Sequence, residues 1–463
     1  MRKNRFLNHL ILCCIAVPLW SCTDLSTLSD HRPEHQAEVA PVVAGGRALS
    51  EKKSSEIIQA AGNPASPHSH ELEQLVDAVR AKTNSPLVVG NKVTPLVDGP
   101  DTFAHLRRAI AGATRSVNVE TYIFSDDKLG RDFASLLISK ARAGVRVRVI
   151  FDAIGSLTSS DALFDEMRNA GVLVKEFNPL SFHSVAFWKF NNRDHRKLLI
   201  VDGKIAFTGG LNISGTYASK SSLHPGPERG INEGWRDTDA QIEGPAVRLF
   251  QMIFFETWAA LDGEMNDSKD IDYPPLENAG ADIVSAVAST GVKQRKEPIY
   301  STYLAAIQHA SKQVWITQAY FSPPPELRDA LIAAVSRGVD VRVLVPSFTD
   351  SSIVFYAARG GYEPLLKHGV RLYEVTDALL HAKTAVIDGS VSIIGSANFD
   401  YRSFLHNNEV TAIIVSESLG TRMQEIYLSD LQQSKEIDIN TWRRRSAGEK
   451  LKESASRLIN YWL

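Results

Sequence analysis

A nine-residue string occurs twice in this 463-residue chain and decides its fold. The copies read His195-Arg196-Lys197-Leu198-Leu199-Ile200-Val201-Asp202-Gly203 and His381-Ala382-Lys383-Thr384-Ala385-Val386-Ile387-Asp388-Gly389. Each places a His and a Lys two residues apart, and an Asn follows the His by seventeen positions both times (212 − 195 and 398 − 381). One such loose pattern is weak evidence, whereas two copies in equivalent surroundings indicate a shared chemical role.

The sequence around the two strings also repeats. Each copy is preceded by an amphipathic helix that ends at a Gly, followed by a short apolar strand. In the first half the helix carries Leu129, Phe133, Leu136 and Leu137, ends at Gly144 and leads into strand 145–149. In the second half it carries Leu327, Leu331, Ile332 and Val335, ends at Gly338 and leads into strand 339–343. A duplicated α/β domain is therefore predicted.

The strand assignment gives the spacing a geometric reason. Residues two apart project from one face of a strand, so His195 and Lys197 share a face, as do the second pair. Asp-Gly is a favoured two-residue hairpin turn. Such turns at residues 202–203 and 388–389 would set His195 opposite Gly210 and His381 opposite Ser396, which places Asn212 and Asn398 on the same face as the His and Lys.

A doubled face of imidazole, ammonium and carboxamide suits a phosphodiester. A neutral His attacks phosphorus, a protonated His donates to the leaving alkoxide, and Lys and Asn stabilise the equatorial oxygens. The second ring nitrogen of the nucleophile needs an acceptor, and Glu409 and Asp237 are the candidates. Taken one at a time, each His is more commonly a buried structural residue, but the doubled pattern favours catalysis. No metal or other cofactor is expected.

The N-terminal residues predict export and lipid attachment. Basic residues precede an apolar run at 10–20, too short for a spanning helix, which typically needs about 20 residues. The run ends in Leu19-Trp20-Ser21-Cys22, which resembles the bacterial lipobox. An ordinary signal peptide with an incidental Cys is the alternative. Cys22 would carry the acyl anchor, and Thr23, in place of a negative residue, favours the outer membrane over the inner one.

The amino-acid composition limits the kinds of partner and metal that the protein is expected to bind. Lys plus Arg number 51 and Asp plus Glu 53, a formal net charge of −2, so no broad positive field favours nucleic acid as a partner. All three Cys residues precede Thr23, which excludes disulfides and a Cys-ligated metal from the folded body. Four segments are predicted: a lipoprotein signal peptide at 1–21, a flexible linker at 22–68, and two α/β domains at 69–265 and 266–463.

The doubled motif resembles that of the phospholipase D superfamily, in which His-x-Lys-x4-Asp is followed by Gly-Gly/Ser-x-Asn, here 209–212 and 395–398. Within it the chain is similar to bacterial cardiolipin synthases from about Asn84 onward. The similarity rests on six short stretches of sequence: Pro86–Asn91, Glu120–Phe124, Asp152–Ser156, Trp235–Thr238, Glu243–Val247 and Asn398–Ser403. Asp239 replaces the usual His of the family, and a lipoprotein signal replaces the two N-terminal spans of many members.

The resemblance implies two pseudo-symmetric α/β/α phospholipase D-like domains, each with a central mixed sheet, and an active site at their interface. It implies phosphatidyl transfer through a covalent phosphohistidine, with phosphatidylglycerol as the expected substrate and a periplasm-facing, membrane-attached protein. It also points to His195 as nucleophile and His381 as general acid, although the symmetry of the halves leaves the order open. The alternatives are hydrolysis to phosphatidic acid, a periplasmic nuclease or phosphodiesterase, and a non-catalytic lipid-binding or scaffold protein.

Overall fold

The computed structural model describes residues 39–62, 69–83, 85–179, 191–218, 234–262, 273–275, 277–291 and 297–458. Its strands are β1 Val42–Ala44, β2 Arg47–Ala48, β3 Leu87–Val97, β4 Ser116–Thr121, β5 Arg146–Asp152, β6 Leu173–Phe177, β7 Leu198–Val201, β8 Ile205–Gly209, β9 Trp235–Arg236, β10 Thr238–Glu243, β11 Asp282–Ser289, β12 Gln313–Gln318, β13 Asp340–Pro346, β14 Arg371–Val375, β15 Leu379–Leu380, β16 Lys383–Ile387, β17 Val391–Gly395, β18 Glu409–Val415 and β19 Ser434–Glu436.

The helices cover both faces of these strands. They are α1 Glu51–Ala61, α2 Ser69–Thr83, α3 Asp98–Gly112, α4 Lys128–Arg142, α5 Asp161–Asn169, α6 Val247–Ala260, α7 Pro298–His309, α8 Pro325–Ser336, α9 Ser352–Arg359, α10 Tyr362–Lys367, α11 Glu417–Gln432, α12 Ile439–Arg443 and α13 Ala447–Arg457. The predicted repeat is confirmed by α4 with β5 and by α8 with β13. Gly144 and Gly338 follow α4 and α8 with φ of +86° and +90°, a left-handed conformation that favours Gly.

The halves form two mixed sheets that merge into one. The strand order is β6-β5-β4-β7-β8-β10-β3 in the first half and β14-β13-β12-β16-β17-β18-β11 in the second. They join where β3 and β11 pair antiparallel, with Val88 opposite Val284. The predicted α/β class with paired mixed sheets is confirmed, and the equivalent strand orders place the two His-x-Lys strings symmetrically about this junction.

The predicted hairpin register was wrong by one residue. Val201 pairs with Ile205 and Ile387 with Val391, so each loop has three residues and not two. The cause is the Asp of each string, which adopts a positive φ (+53° at Asp202) and turns its carboxylate towards a neighbouring loop. Asp202 accepts bonds of 2.8–3.2 Å from the backbone N–H groups of residues 114–116. Asp202 and Asp388 therefore fasten adjacent loops as well as forming turns.

The structure also differs from the predicted linker and first domain near the N-terminus. Residues 42–61 contain β1, β2 and α1, and Val42 and Ile58 are fully buried. Helix α2, assigned to the first domain, packs Leu75 and Val76 into the same core as Tyr303 of the second half. An amphipathic pattern shows that a helix is packed but does not show against which partner, so this arrangement was not predicted.

The predicted signal peptide and Cys22 lie outside the described residues. Among the helices of the described ranges, none has the length and apolar content needed to cross a bilayer.

Candidate active site

His195 is held at the boundary between the halves. Its backbone N–H donates to the carbonyl of Asn408 at 2.9 Å. Its Nδ1 lies 2.9 Å from Oε1 and 3.1 Å from Oε2 of Glu409. A carboxylate in this position accepts the Nδ1 proton, which fixes the tautomer and leaves the lone pair of Nε2 available. His195 therefore has the arrangement of an oriented nucleophile or base.

His381 is held in the same way by the other half. Its backbone N–H donates to the carbonyl of Arg236 at 2.8 Å, next to the short parallel pairing of β9 with β15. Its Nδ1 lies 2.8 Å from Oδ2 of Asp237. Each imidazole is thus oriented by a carboxylate from the opposite half, so neither half contains a complete His-carboxylate pair.

The two carboxylates occupy equivalent positions although their spacings differ. Gly209 pairs with Asp239 on β10, and Gly395 pairs with Thr411 on β18. Asp237 and Glu409 each stand two residues before these partners. The sequence named both residues as acceptors but could not assign them, because Asp237 follows its motif His by 42 residues and Glu409 follows His381 by only 28.

The residues that lie next to the two acids, Gly210 and Ser396, differ in size. A Cβ on Gly210 would lie 2.3 Å from Oδ1 of Asp237, so a larger residue there would displace the carboxylate. The equivalent residue of the second half is Ser396, whose hydroxyl donates to Oε2 of Glu409. The difference between Gly-Gly and Gly-Ser in the two motifs therefore follows from the acid that each one faces.

Two buried arginines support the backbone of these acids. Arg196 donates from Nε to the carbonyl of Glu409 at 3.2 Å. Arg236 donates to the carbonyl of Asp237 and forms two bonds of 2.7 and 2.8 Å with Asp430. Buried arginines with several hydrogen bonds restrict the backbone that carries each carboxylate. Neither role was predicted from the sequence, although Arg196 lies inside the first string and Arg236 inside the quoted Trp-Arg-Asp-Thr string.

The lysines are buried beside their own histidines. Lys197 donates from Nζ to the carbonyl of His195 at 2.6 Å, and Lys383 donates likewise to the carbonyl of His381. Burial lowers the pKa of Lys197 to about 7 and that of Lys383 to about 8. Both ammonium groups are thus poorly solvated cations, which an anionic phosphate would stabilise.

Aromatic rings enclose both histidines. The ring of Tyr122 lies edge-on to His195 at 5.2 Å and 5.6 Å from Nζ of Lys197. The ring centroids of Tyr217 and Trp235 lie 5.4 and 5.0 Å from the ring centroid of His381. The sequence analysis did not propose these three residues for the site. Tyr122 and Trp235 lie within the stretches that resemble the family, and this location was the sequence signal that could have identified them as site residues.

The asparagines differ between the halves. Asn212 accepts from the backbone of Ile123 at 3.2 Å and donates to the hydroxyl of Tyr217 at 2.8 Å. Oδ1 of Asn398 is buried and has no hydrogen-bond partner in the described part of the chain. The second-half carboxamide is therefore the one with unused hydrogen-bonding capacity.

The two motifs are coupled electrostatically. Burial, and then the charges of Lys197 and Lys383, hold the pKa of His195 well below its usual value. Burial and Lys383 lower the pKa of His381 to about 4, against the opposing effect of Asp237. Lysines of both halves therefore act on the same imidazole.

The two carboxylates differ in pKa. Burial alone would raise the pKa of Asp237, but the bond to His381 and the charges of His381 and Lys383 keep it below the usual value. Burial raises the pKa of Glu409 to about 7, with Lys197 opposing. Asp237 is thus a firm anion beside His381, whereas Glu409 is a weaker one beside His195.

Asp239, which replaces the usual His of the family, is buried behind the Gly209–Leu211 turn. Its Oδ1 accepts from the backbone of Leu211 at 3.4 Å, and burial together with the charge of Asp237 raises its pKa well above the usual value. No group of three His, Cys, Asp or Glu residues able to hold a metal ion occurs among the described residues.

Comparisons with known proteins identify the family of this chain. A family model described as "Cardiolipin synthase, PLD-like domain" matches residues 106–221 and 303–431, and each segment contains one His-x-Lys pair. A cardiolipin synthase of Halalkalibacterium halodurans is 34% identical over 377 residues, 81% of this chain and 73% of that protein. One of Geobacillus kaustophilus is 35% identical over 398 residues, 86% and 77% of the two chains.

A solved structure supports the fold. The phosphatidylserine synthase of Haemophilus influenzae Rd KW20 superposes with a TM-score of 0.64 at 14% identity, covering 84% of this chain and 100% of that one. At this identity the likeness establishes the fold alone.

Proposed function

Because the chain belongs to the cardiolipin synthase family of phospholipase D-like proteins, we propose that it transfers the phosphatidyl group of phosphatidylglycerol to a second phospholipid through a phosphohistidine on His195. Phosphatidyl transfer of the phospholipase D type follows from the family. The crossed His195–Glu409 and His381–Asp237 bonds carry the finer proposal, since they prepare both imidazoles for complementary roles at one phosphate.

In the first step Nε2 of His195 attacks phosphorus, and the bond from phosphorus to the headgroup oxygen breaks as His381 protonates that oxygen. Glycerol leaves. In the second step His381 takes the proton from a glycerol hydroxyl of another phosphatidylglycerol, whose oxygen displaces His195 and forms cardiolipin. Lys197 and Lys383 stabilise the charge that builds on the non-bridging oxygens.

The different surroundings of the histidines support this order. His195 lies among cations beside the weaker anion Glu409, which favours the neutral, nucleophilic ring. His381 bonds to the firm anion Asp237, which opposes the lowering of its pKa by burial and Lys383. A phosphodiester between the lysines would offset their charges and raise the pKa of His381, so proton uptake accompanies substrate binding.

The proposal is tested by incubating the purified protein with phosphatidylglycerol vesicles and following lipids and released glycerol by mass spectrometry. Cardiolipin with an equimolar amount of glycerol is the expected result. If phosphatidic acid were the sole lipid product, the reaction would be hydrolysis and not transfer. The absence of both products would refute the proposal. Digestion of DNA without divalent metal would favour the nuclease alternative.

The pKa values of the lysines predict the pH dependence. As pH rises through about 7 and then about 8, Lys197 and Lys383 lose the protons that bind phosphate, so kcat/KM should fall between pH 6 and 9. In Lys197→Arg the guanidinium stays charged, so the fall over this range should be shallower than in the wild-type protein. A kcat/KM that rises over this range would contradict the required ammonium groups.

Membrane attachment is part of the same proposal. The apolar run and the Leu-Trp-Ser-Cys string support an acyl anchor at Cys22 on a periplasm-facing lipoprotein, with the outer membrane favoured. Release of Cys22→Ala from the membrane fraction is the expected consequence, and retention of that variant would argue against the anchor.

A further inference from the structure

The halves of the cleft differ at the last residue of their equivalent strands β4 and β12. In the first half this residue is Thr121, whose hydroxyl donates to the carbonyl of Ile123 at 3.0 Å. In the second half it is Gln318, which has no exposed surface. Neither amide atom of Gln318 has a hydrogen-bond partner within the described residues. A buried carboxamide without partners is costly unless a ligand or water uses it.

The position of Gln318 relates it to the chemistry. It pairs directly with Lys383 across the antiparallel ladder of β12 and β16, so the two side chains share one face of the sheet. Lys383 is equally buried and donates to the carbonyl of His381. The unused carboxamide therefore lies beside Lys383, the lysine that accompanies the histidine that exchanges protons with the alcohol in the proposed mechanism.

A carboxylate stands at the rim on the same side. Asp350 is exposed, and its Oδ1 accepts from the hydroxyls of Tyr320 at 2.7 Å and Thr349 at 3.0 Å. Its Oδ2 accepts no hydrogen bond from the residues that the structure describes. Burial, and next the charge of Asp350, raises the pKa of Tyr320 well above its usual value. The backbone N–H of Phe399, the residue after Asn398, donates to the carbonyl of Tyr320 at 3.1 Å, so Tyr320 and its partner Asp350 lie beside the second motif, and the charge of Asp350 also acts on Lys383.

A negative group repels a phosphate but accepts hydrogen bonds from hydroxyls. We propose that Gln318 and Asp350 bind the hydroxyl groups of a polyol, namely the glycerol that leaves in the first step and the glycerol headgroup that attacks in the second. Tyr320 positions Asp350 for this role. The inference rests on the proposed function, because it places the alcohol on the side of His381.

The test measures the choice of acceptor in the full chain. Phosphatidyl-p-nitrophenol serves as the donor, so that all acceptors compete for the same phosphatidyl-enzyme. Glycerol, 1-propanol and ethanolamine are supplied together, and their phosphatidyl products are quantified by mass spectrometry. The wild-type protein should favour glycerol over 1-propanol. Asp350→Asn should lower that ratio by about 10-fold or more, as expected for a hydrogen bond to a charged group.

Matched variants separate binding from structure. Gln318→Met, which keeps the length of the side chain, and Gln318→Thr, which copies the first half, should each lower the ratio by about 3-fold to 10-fold. Partial unfolding removes both products equally and leaves the ratio unchanged. Asp329→Asn makes the same charge change at an exposed position of α8 and should leave the ratio at the wild-type value.

Four results would overturn the inference. Equal losses of glycerol and 1-propanol transfer in Asp350→Asn would show that Asp350 acts only through the charge of Lys383. A wild-type preference for ethanolamine over glycerol would assign the subsite to an ammonium headgroup. If the wild-type protein is active but none of the variants changes the ratio, the subsite is wrong while the proposed function stands. Wild-type inactivity with every acceptor and with water would refute both.

Discussion

His195→Ala should lower phosphatidyl transfer by about 10⁴-fold or more, the scale seen when a covalent nucleophile is removed. The imidazole of His195 forms the bond to phosphorus in the proposed order, and the lysines and His381 cannot replace that bond. The measurement is the initial rate of cardiolipin formation from phosphatidylglycerol vesicles, with thermal unfolding as the check that the variant is folded.

His381→Ala is the matched comparison, because it removes the proton donor and leaves the nucleophile. With phosphatidylglycerol this variant should also be nearly inactive, since glycerol leaves poorly without a proton. With phosphatidyl-p-nitrophenol the leaving group departs as a stable anion. His381→Ala should then release a burst of nitrophenol and accumulate a phosphatidyl group on the peptide that contains His195, whereas His195→Ala should give no burst.

The opposite pattern, a burst from His195→Ala and none from His381→Ala, would assign the nucleophile to His381. A burst from neither variant, with the wild-type protein active, would contradict the covalent intermediate.

Asp237→Asn and Glu409→Gln should each reduce cardiolipin formation by about 10³-fold to 10⁴-fold, comparable to the loss of the orienting Asp in a catalytic triad. A carboxamide can present its N–H to the histidine and favour the wrong tautomer. The two variants should differ with the activated donor. Glu409→Gln impairs attack by His195 and should abolish the nitrophenol burst, whereas Asp237→Asn impairs only proton transfer by His381 and should retain it.

Asp388→Asn is the control for this pair. Its carboxylate accepts from the backbone at residues 311–313 and fastens a loop, although it belongs to the repeated string around His381. It should lower stability and leave the rate per folded molecule close to that of the wild-type protein. If Asp237→Asn and Glu409→Gln changed the nitrophenol burst equally, the two histidines would not have the separate roles proposed here.

The repeated string allowed the sequence to predict much of the fold. Strand and turn periodicity are local, so the helices ending at Gly144 and Gly338 and the strands after them were predicted correctly. The turn at Asp202 was predicted one residue too short, because its carboxylate bonds to a loop 86–88 residues away. Helix α2 shows the same limit, since its partner α7 is supplied by the other half.

The sequence by itself determined the chemical inventory: two imidazoles, two ammonium groups, two carboxamides and two candidate carboxylates in a duplicated α/β frame. Only the tertiary structure decided that Glu409 orients His195 and Asp237 orients His381, because these bonds join residues 214 and 144 positions apart across the junction of β3 and β11. Burial also has no local signature. The lowered pKa values of the lysines and the unpaired amide of Gln318 therefore become visible only in the folded chain.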